Sequence, residues 1–135
     1  MRNRPARQPE IGPAPLSPEE KLGIAEEAVL DLKAVDPVVL DMRPLTVITD
    51  YFLICHGTSN IHIRALADRV LQRFEERRVR PFGTEGYQEA DWVLLDYGDV
   101  VVHIFSEERR GFYALERLWS DAPRTELAPE AESDE

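Results

Sequence analysis

The chain is short of cysteine and of long apolar runs. Its single cysteine, Cys55, among 135 residues excludes an internal disulfide framework and a cysteine-based zinc cluster, and it fits a reducing cytosol. No stretch reaches the roughly 18 apolar residues that a membrane span requires. The arginine-containing start lacks the apolar segment of a secretory signal. The length predicts one domain, and the 43% hydrophobic content is sufficient for a core.

Positive charge is also scarce. The sequence holds 16 Lys and Arg against 26 Asp and Glu, which gives a net charge of −10. Neutralising nucleic-acid phosphates requires a basic surface, so we expect little direct nucleic-acid binding. Such a domain suits a basic protein partner better. The alternative, in which the acidic charge only keeps the protein soluble, stays open at this point.

Proline and charge divide the chain into three parts. Residues 1–16 hold four prolines and few large apolar groups, which predicts a disordered arm. Residues 121–135 hold six acids and one arginine, and we expect a disordered acidic tail there. The folded domain is therefore predicted to span residues 17–120.

Hydrophobic spacing within that domain predicts alternating helices and strands. Ser17 and Glu20 form a capping box before a helix that Pro37 should end. Gly98 and Asp99 provide a two-residue hairpin turn, so that Asp96 should face Val101. We predict an α/β fold, a small mixed β-sheet sandwiched by helices. Its elements are a helix before Pro37, strands at 37–42 and 50–56, a helix at 60–78, a loop at 80–91, the hairpin at 92–105, and a helix at 107–119 lined by Phe112, Leu115 and Trp119.

The stretch DYFLICHGTSNIH, residues 50–62, contains the residue types of a nucleophilic hydrolase. However, Cys55 and His56 are neighbours in a predicted strand, so their side chains should leave opposite faces of the sheet. A cysteine nucleophile needs its base within hydrogen-bond reach. The three histidines also lack metal-ligand spacing. We therefore expect no catalytic, cofactor-binding or metal-binding residues.

A nucleotidyltransferase-like or cysteine-dependent enzyme is the alternative function. The sequence from Gly57 to Ser59 joins a strand to a helix and offers free N–H groups for a phosphate. In a nucleotidyltransferase the two metal-binding carboxylates would be Asp96 and Asp99. However, Asp99 lies in the predicted turn, which suits turn formation better than metal binding.

Aromatic and acidic residues are concentrated in the last third of the domain. Aromatic anchors with neighbouring carboxylates suit the recognition of a Lys- and Arg-rich protein surface. The alternative is that the aromatic side chains pack inward and the acids are solvated.

Three segments carry a resemblance to a known family. TDYFLICHGTSNIHIRALADRV, GTEGYQEADWVLLDYGDVVVHIF and RRGFYALERLW resemble the ribosomal silencing factor family (RsfS, also called Iojap), from about residue 17 to 120. The resemblance implies a fold similar to that of nucleotidyltransferases without their catalytic residues, hence no enzyme. It also implies a cytoplasmic translation repressor that binds ribosomal protein L-fourteen of the large ribosomal subunit and blocks joining of the small subunit. Isolated family members are often homodimers.

The resemblance further implies a set of contact residues for the ribosomal partner. These positions match the family's motif series in order and spacing. They are Glu85, Gly86, Asp91, Trp92, Asp96, Tyr97, Asp99, His103 and Tyr113, of which Trp92 and His103 have a core or dimer contact as the alternative role.

Overall fold

A computed structural model describes residues 15–127, and the two predicted terminal segments lie mostly outside this range. The helices and strands alternate along the chain. They are α1 (Pro18–Asp31), β1 (Val35–Asp41), β2 (Tyr51–Gly57), α2 (Asn60–Glu76), β3 (Gly83–Glu85), β4 (Trp92–Asp96), β5 (Val100–Ser106), α3 (Glu107–Tyr113), α4 (Leu115–Leu118) and β6 (Arg124–Glu126).

The strands form one sheet in the order β3-β4-β5-β2-β1-β6. Only β2 and β5 run parallel, and the other neighbours are antiparallel. The mixed α/β sheet flanked by helices is therefore confirmed. The two faces are covered unequally: α1 and α2 pack on the central strands of one face, whereas α3, α4 and the following turn cover part of the other.

Local sequence signals set the start of each long helix. Ser17 Oγ accepts from the Glu20 N–H at 3.0 Å, and the Glu20 carboxylate accepts from the Ser17 N–H at 2.9 Å, which confirms the capping box. Ser59 caps α2 through a single bond, in which its Oγ accepts from the His62 N–H at 3.0 Å. The buried stripe of α2 runs from Ile63 to Phe74.

Strand alternation places the central residues as predicted. Leu53 and Cys55 of β2 are fully buried under α1 and α2, whereas Ile54 packs on the opposite side of the sheet. The β4–β5 hairpin has the expected register, with Asp96 opposite Val101. Gly98 adopts φ +82° in its turn, a conformation that glycine reaches without steric cost.

The first helix ends earlier than predicted. It ends at Asp31, and the chain reverses through Lys33, whose φ is +60°. Pro37 does not end the helix but lies within β1, at an irregularity between Val35 and Val38. A proline has no N–H to donate to a strand ladder, so an irregular position accommodates it.

Three other predictions need correction. The loop at 80–91 contains the short edge strand β3, and the helix expected at 107–119 breaks at Ala114, whose φ is +48°. Phe112 is consequently 74% exposed rather than packed beside the buried Leu115. Residues 124–126, assigned to the disordered tail, form β6 against β1. Both short strands depend on pairing with distant residues, which local periodicity does not reveal.

Candidate protein-binding surface

The residues of the enzyme hypothesis are separated by the sheet. Cys55 is fully buried on the side of α1 and α2, where desolvation raises the pKa of its thiol to about 12. His56 lies on the other side, with its Nδ1 3.0 Å from the guanidinium of Arg110. Because arginine can only donate, this ring nitrogen accepts and the imidazole is neutral. The predicted separation of Cys55 and His56 is confirmed.

The carboxylates of the nucleotidyltransferase hypothesis are engaged in the hairpin. Asp96 accepts a 2.8 Å hydrogen bond from the N–H of Gly98. Asp99 lies 3.3 Å from the ammonium of Lys21 in α1. Within residues 15–127 there is no cluster of three or more His, Cys, Asp or Glu side chains that could hold a metal ion. In the same range, none of the helices has the length and apolar character needed to cross a membrane.

The incompletely covered side of the sheet carries an apolar groove of about 400 Å³. Its floor follows the outward residues of three adjacent strands, Leu94 of β4, Val101 of β5 and Phe52 of β2. The rim comes from two loops and from the end of α4. It is formed by Ile48, Phe82 and Trp119.

The rim side chains are unusually exposed for apolar residues. Ile48 is 85% exposed and Phe82 is 80% exposed, and Val47 beside them is completely exposed. Single exposed apolar residues are common on soluble proteins, but contiguous apolar patches usually mark an interaction site. The groove therefore has the character of a binding surface.

An aromatic cluster continues the groove toward α3. The ring of Trp92 lies 4.5 Å from that of Tyr113 and 5.0 Å from that of Phe105. Tyr113 is 40% exposed, and Phe112 next to it is more exposed still. We call the groove and this cluster together the open face. It comprises Val47, Ile48, Phe52, Phe82, Trp92, Leu94, Val101, His103, Phe112, Tyr113 and Trp119.

His103 holds the two parts of the open face together. The indole N–H of Trp92 donates to Nδ1 of His103 over 3.1 Å, so the imidazole proton lies on Nε2. Burial lowers the pKa of His103 to about 4, which keeps the ring neutral near pH 7. Its Nε2 is buried and has no hydrogen-bond partner within residues 15–127. The ring therefore fixes the orientation of Trp92 while it lines the groove.

The predicted contact residues divide between the open face and other locations. Trp92, His103 and Tyr113 lie on the open face, and Asp96 lines its groove. Tyr97 points the other way, is 1% exposed, and stacks on Phe74 at 3.8 Å. The side chain of Tyr97 therefore lies away from the open face in this structure, and its role as a contact residue stays a prediction.

The remaining predicted residues lie at the edges. Glu85 is exposed at the end of edge strand β3, and Asp91 lies 3.7 Å from Arg109. Asp99 pairs with α1 as described above. At Gly86, φ is +81° and a Cβ would lie 1.9 Å from the carbonyl oxygen of Trp92. The backbone alone therefore requires glycine at that position.

Sequence reasoning missed the rim of the groove. Val47 and Ile48 lie in the segment between β1 and β2, and Phe82 precedes β3. A signal was present, since apolar side chains in a loop have no strand or helix face through which to reach the core. Their exposure explains why they match no periodic pattern.

Comparisons with known proteins identify relatives of this chain and support its fold. A family model described as "Ribosomal silencing factor during starvation" matches residues 15–135. A ribosomal silencing factor of Halalkalibacterium halodurans is 45% identical over 112 residues, covering 83% of this chain and 96% of the relative. One from Bacillus subtilis is 44% identical, covering 78% of this chain and 90% of the relative. A crystal structure from Chromobacterium violaceum superposes with a TM-score of 0.76 at 33% identity, covering 85% and 97% of the two chains.

Proposed function

Because the chain belongs to the ribosomal silencing factor family, we propose that it represses translation by occupying the large ribosomal subunit. The partner is ribosomal protein L-fourteen, and the bound domain sterically blocks joining of the small subunit. The repressor works without a substrate or cofactor, in the cytoplasm where ribosomes assemble. The open face is the surface that we assign to this contact.

The observation that carries the proposal is the contiguous apolar surface on one side of the sheet. Burying an aromatic side chain such as Phe82 or Trp92 at an interface commonly contributes most of the binding free energy. The floor is rigid because it consists of paired strands, so binding should require little reorganisation. Covering Val47, Ile48 and Phe82 would also remove the most exposed apolar side chains from water.

Acidic charge favours a basic partner for the proposed contact. Asp96 lines the groove, and Asp91 directly precedes Trp92, the residue of the aromatic cluster at which β4 begins. A net charge of −10 attracts a basic ribosomal protein and speeds their encounter. Apolar anchors with Asp91 and Asp96 beside them thus suit a basic protein surface.

A second copy of the chain is the competing occupant of the open face. Homodimers that pair through this face would hide the groove and would have to dissociate before binding a ribosome. The proposal therefore predicts that a dimer and the subunit complex exclude one another. Equilibrium sedimentation with increasing L-fourteen tests this: a complex that retains two copies of the chain per L-fourteen would contradict a shared surface.

Subunit joining is the decisive measurement. Purified large and small subunits are mixed with increasing protein and separated by sucrose-gradient sedimentation. The 70S peak should fall as the protein saturates large subunits, and the protein should co-sediment with the large subunit alone. A Phe82→Ala variant should restore the 70S peak at the same concentration. Undiminished 70S formation at saturating protein would overturn the proposal.

A further inference from the structure

Three arginines follow directly after the last residue of α2. Arg77, Arg78 and Arg80 are all exposed and surround Val79 in the sequence RRVR. We call these three residues the arginine turn. From position 77 to position 82 the sequence has no acidic residue, in a protein whose overall charge is strongly negative.

The backbone of the arginine turn is fixed. The Arg78 N–H donates to the Glu75 carbonyl at 2.8 Å, and the Val79 N–H donates to the Phe74 carbonyl at 3.0 Å. This pair of bonds is the Schellman arrangement that closes many helices. Val79 packs against the core under α1 and α2. The apolar anchor therefore presents the flanking arginines from a rigid turn.

The arginine turn lacks internal partners. Within residues 15–127, Arg77, Arg78 and Arg80 make no ion pair and no side-chain hydrogen bond, and Arg117 is the only other arginine of which this is true. All other arginines in that range bind a carboxylate or a carbonyl. They are Arg43, Arg64, Arg69, Arg73, Arg109, Arg110 and Arg124.

Local stability does not account for the arginine turn. Arg78 adopts φ +62°, a conformation in which glycine or asparagine is normally favoured at this position of a helix end. The helix dipole favours a cation in the last turn, which applies to Arg77. It does not apply to Arg80, which lies beyond the helix. The helix therefore explains Arg77 but neither Arg78 nor Arg80.

We infer that the arginine turn binds the phosphate backbone of RNA at the edge of the protein's site on the large ribosomal subunit. The inference rests on the proposed function and adds an RNA contact to it. Phe82, on the rim of the groove, is two residues from Arg80, and its N–H is held by the Asp96 carbonyl at 2.7 Å. The arginine turn therefore borders the open face, within reach of any RNA that lies beside a partner protein seated there.

The chemistry matches phosphate better than another protein surface. Guanidinium groups bind phosphate oxygens with two parallel hydrogen bonds, and such contacts position a protein without reading bases. The net charge of −10 repels RNA from the rest of the molecule. Phosphate contact should therefore be confined to the arginine turn and should occur only when the open face is already bound.

The test compares salt dependence on two targets. The full chain and its Arg77→Gln/Arg78→Gln/Arg80→Gln variant are titrated against intact large subunits and against isolated L-fourteen, at several salt concentrations. On subunits, the slope of log affinity against log salt should decrease in magnitude by about 2, roughly 0.7 for each of three phosphate contacts. On isolated L-fourteen the variant should bind as tightly as the unmodified chain.

Matched variants separate charge from folding. Replacing the same three residues by lysine keeps the charge and should retain the slope, because a phosphate contact needs a cation. Arg124→Gln removes a charge at the opposite edge of the sheet and should leave the slope unchanged. Melting curves of all variants should coincide, since the three side chains are exposed.

Two results would overturn the inference. One is an unchanged salt slope of the glutamine variant on intact subunits. The other is an equal loss of affinity on isolated L-fourteen, which would mean that the arginines contact protein. A chain that binds neither target would instead overturn the proposed function, and the RNA contact with it.

Discussion

The two faces of the sheet use similar apolar residues for opposite purposes. On the face under α1 and α2, Leu53, Val102 and Phe74 are completely buried. On the open face, Ile48 and Phe82 remain at least 80% exposed. Burial of the first set stabilises the fold, whereas exposure of the second set leaves free energy available for a partner. Changes at buried residues should therefore affect stability, and substitutions of the exposed residues of the open face should affect binding.

Phe74→Ala should have the largest effect on stability. Phe74 has no exposed surface and its ring stacks on Tyr97 at 3.8 Å. Truncating a buried phenylalanine typically costs about 3–5 kcal/mol, because a cavity is left behind. Urea unfolding followed by circular dichroism measures the loss. A cost below about 1 kcal/mol, the range of exposed positions, would show that this face is less well packed than described.

Protonation of His103 should produce the next largest effect. Its pKa is lowered to about 4 in the folded chain and is about 6.5 when unfolded, so the unfolded chain binds more protons between these values. Stability is consequently full above pH 6.5 and is lost as the pH falls toward 4. The total is roughly 3 kcal/mol, from about 1.4 kcal/mol per pKa unit.

A variant isolates this histidine from other titrating groups. His103→Phe removes the titration, so the difference in unfolding free energy between pH 7 and pH 4.5 should be smaller than in the unmodified chain. His56, whose pKa burial and Arg110 also lower, is present in both proteins and cancels in the comparison. Identical pH profiles for the two proteins would refute the role of His103.

Sequence and structure agree where the determinants are local. The capping box at Ser17 and the alternation along β2 require only neighbouring residues, and both were predictable. For Tyr97, the family resemblance identifies a position in the sequence but not the side of the sheet on which its side chain lies. Strand alternation from Asp96, which faces the groove, would already have turned Tyr97 toward α2.

The unpredicted parts depend on distant contacts. β6 forms because Thr125 pairs with Val39, which lies far away in the sequence. A strand of three residues is too short to show an alternating pattern. The helix breaks at Ala114, whose φ is positive. Because this position holds alanine and not glycine, the sequence does not signal the break. The loop position of Val47, Ile48 and Phe82 was a signal of exposure, but the sequence does not show that these loops meet on one face, because only the folded sheet brings them together.

Phe82→Ala should weaken subunit binding and spare the fold. Interface aromatics of this kind typically contribute about 2 kcal/mol or more, which corresponds to roughly 30-fold in affinity. Because the side chain is 80% exposed, the expected change in unfolding free energy is within about 0.5 kcal/mol. Co-sedimentation with large subunits and urea unfolding give the two values. A large stability loss with unchanged affinity would reverse the roles assigned to the faces.

The smallest effects should come from Asp91 and Asp99, which were both predicted as contact residues. Asp91 lies beside the aromatic cluster, and its 3.7 Å contact with Arg109 is exposed. Asp99 binds Lys21 of α1 at 3.3 Å, in the hairpin turn. Asp91→Lys should slow association with large subunits several-fold at low salt and much less at high salt, because exposed charges mainly steer encounter.

Asp99→Lys should affect stability more than it affects the rate of association. Losing its partly exposed pair with Lys21 should cost about 1 kcal/mol or less, with the association rate closer to that of the unmodified chain. Stopped-flow association at two salt concentrations, with urea unfolding of both variants, compares them directly. If the two substitutions slow association equally, the net charge of the domain guides binding, and the acidic residues beside the open face have no special role. If only Asp91→Lys does so, the partner approaches from the side of the aromatic cluster, which orients the domain on the subunit.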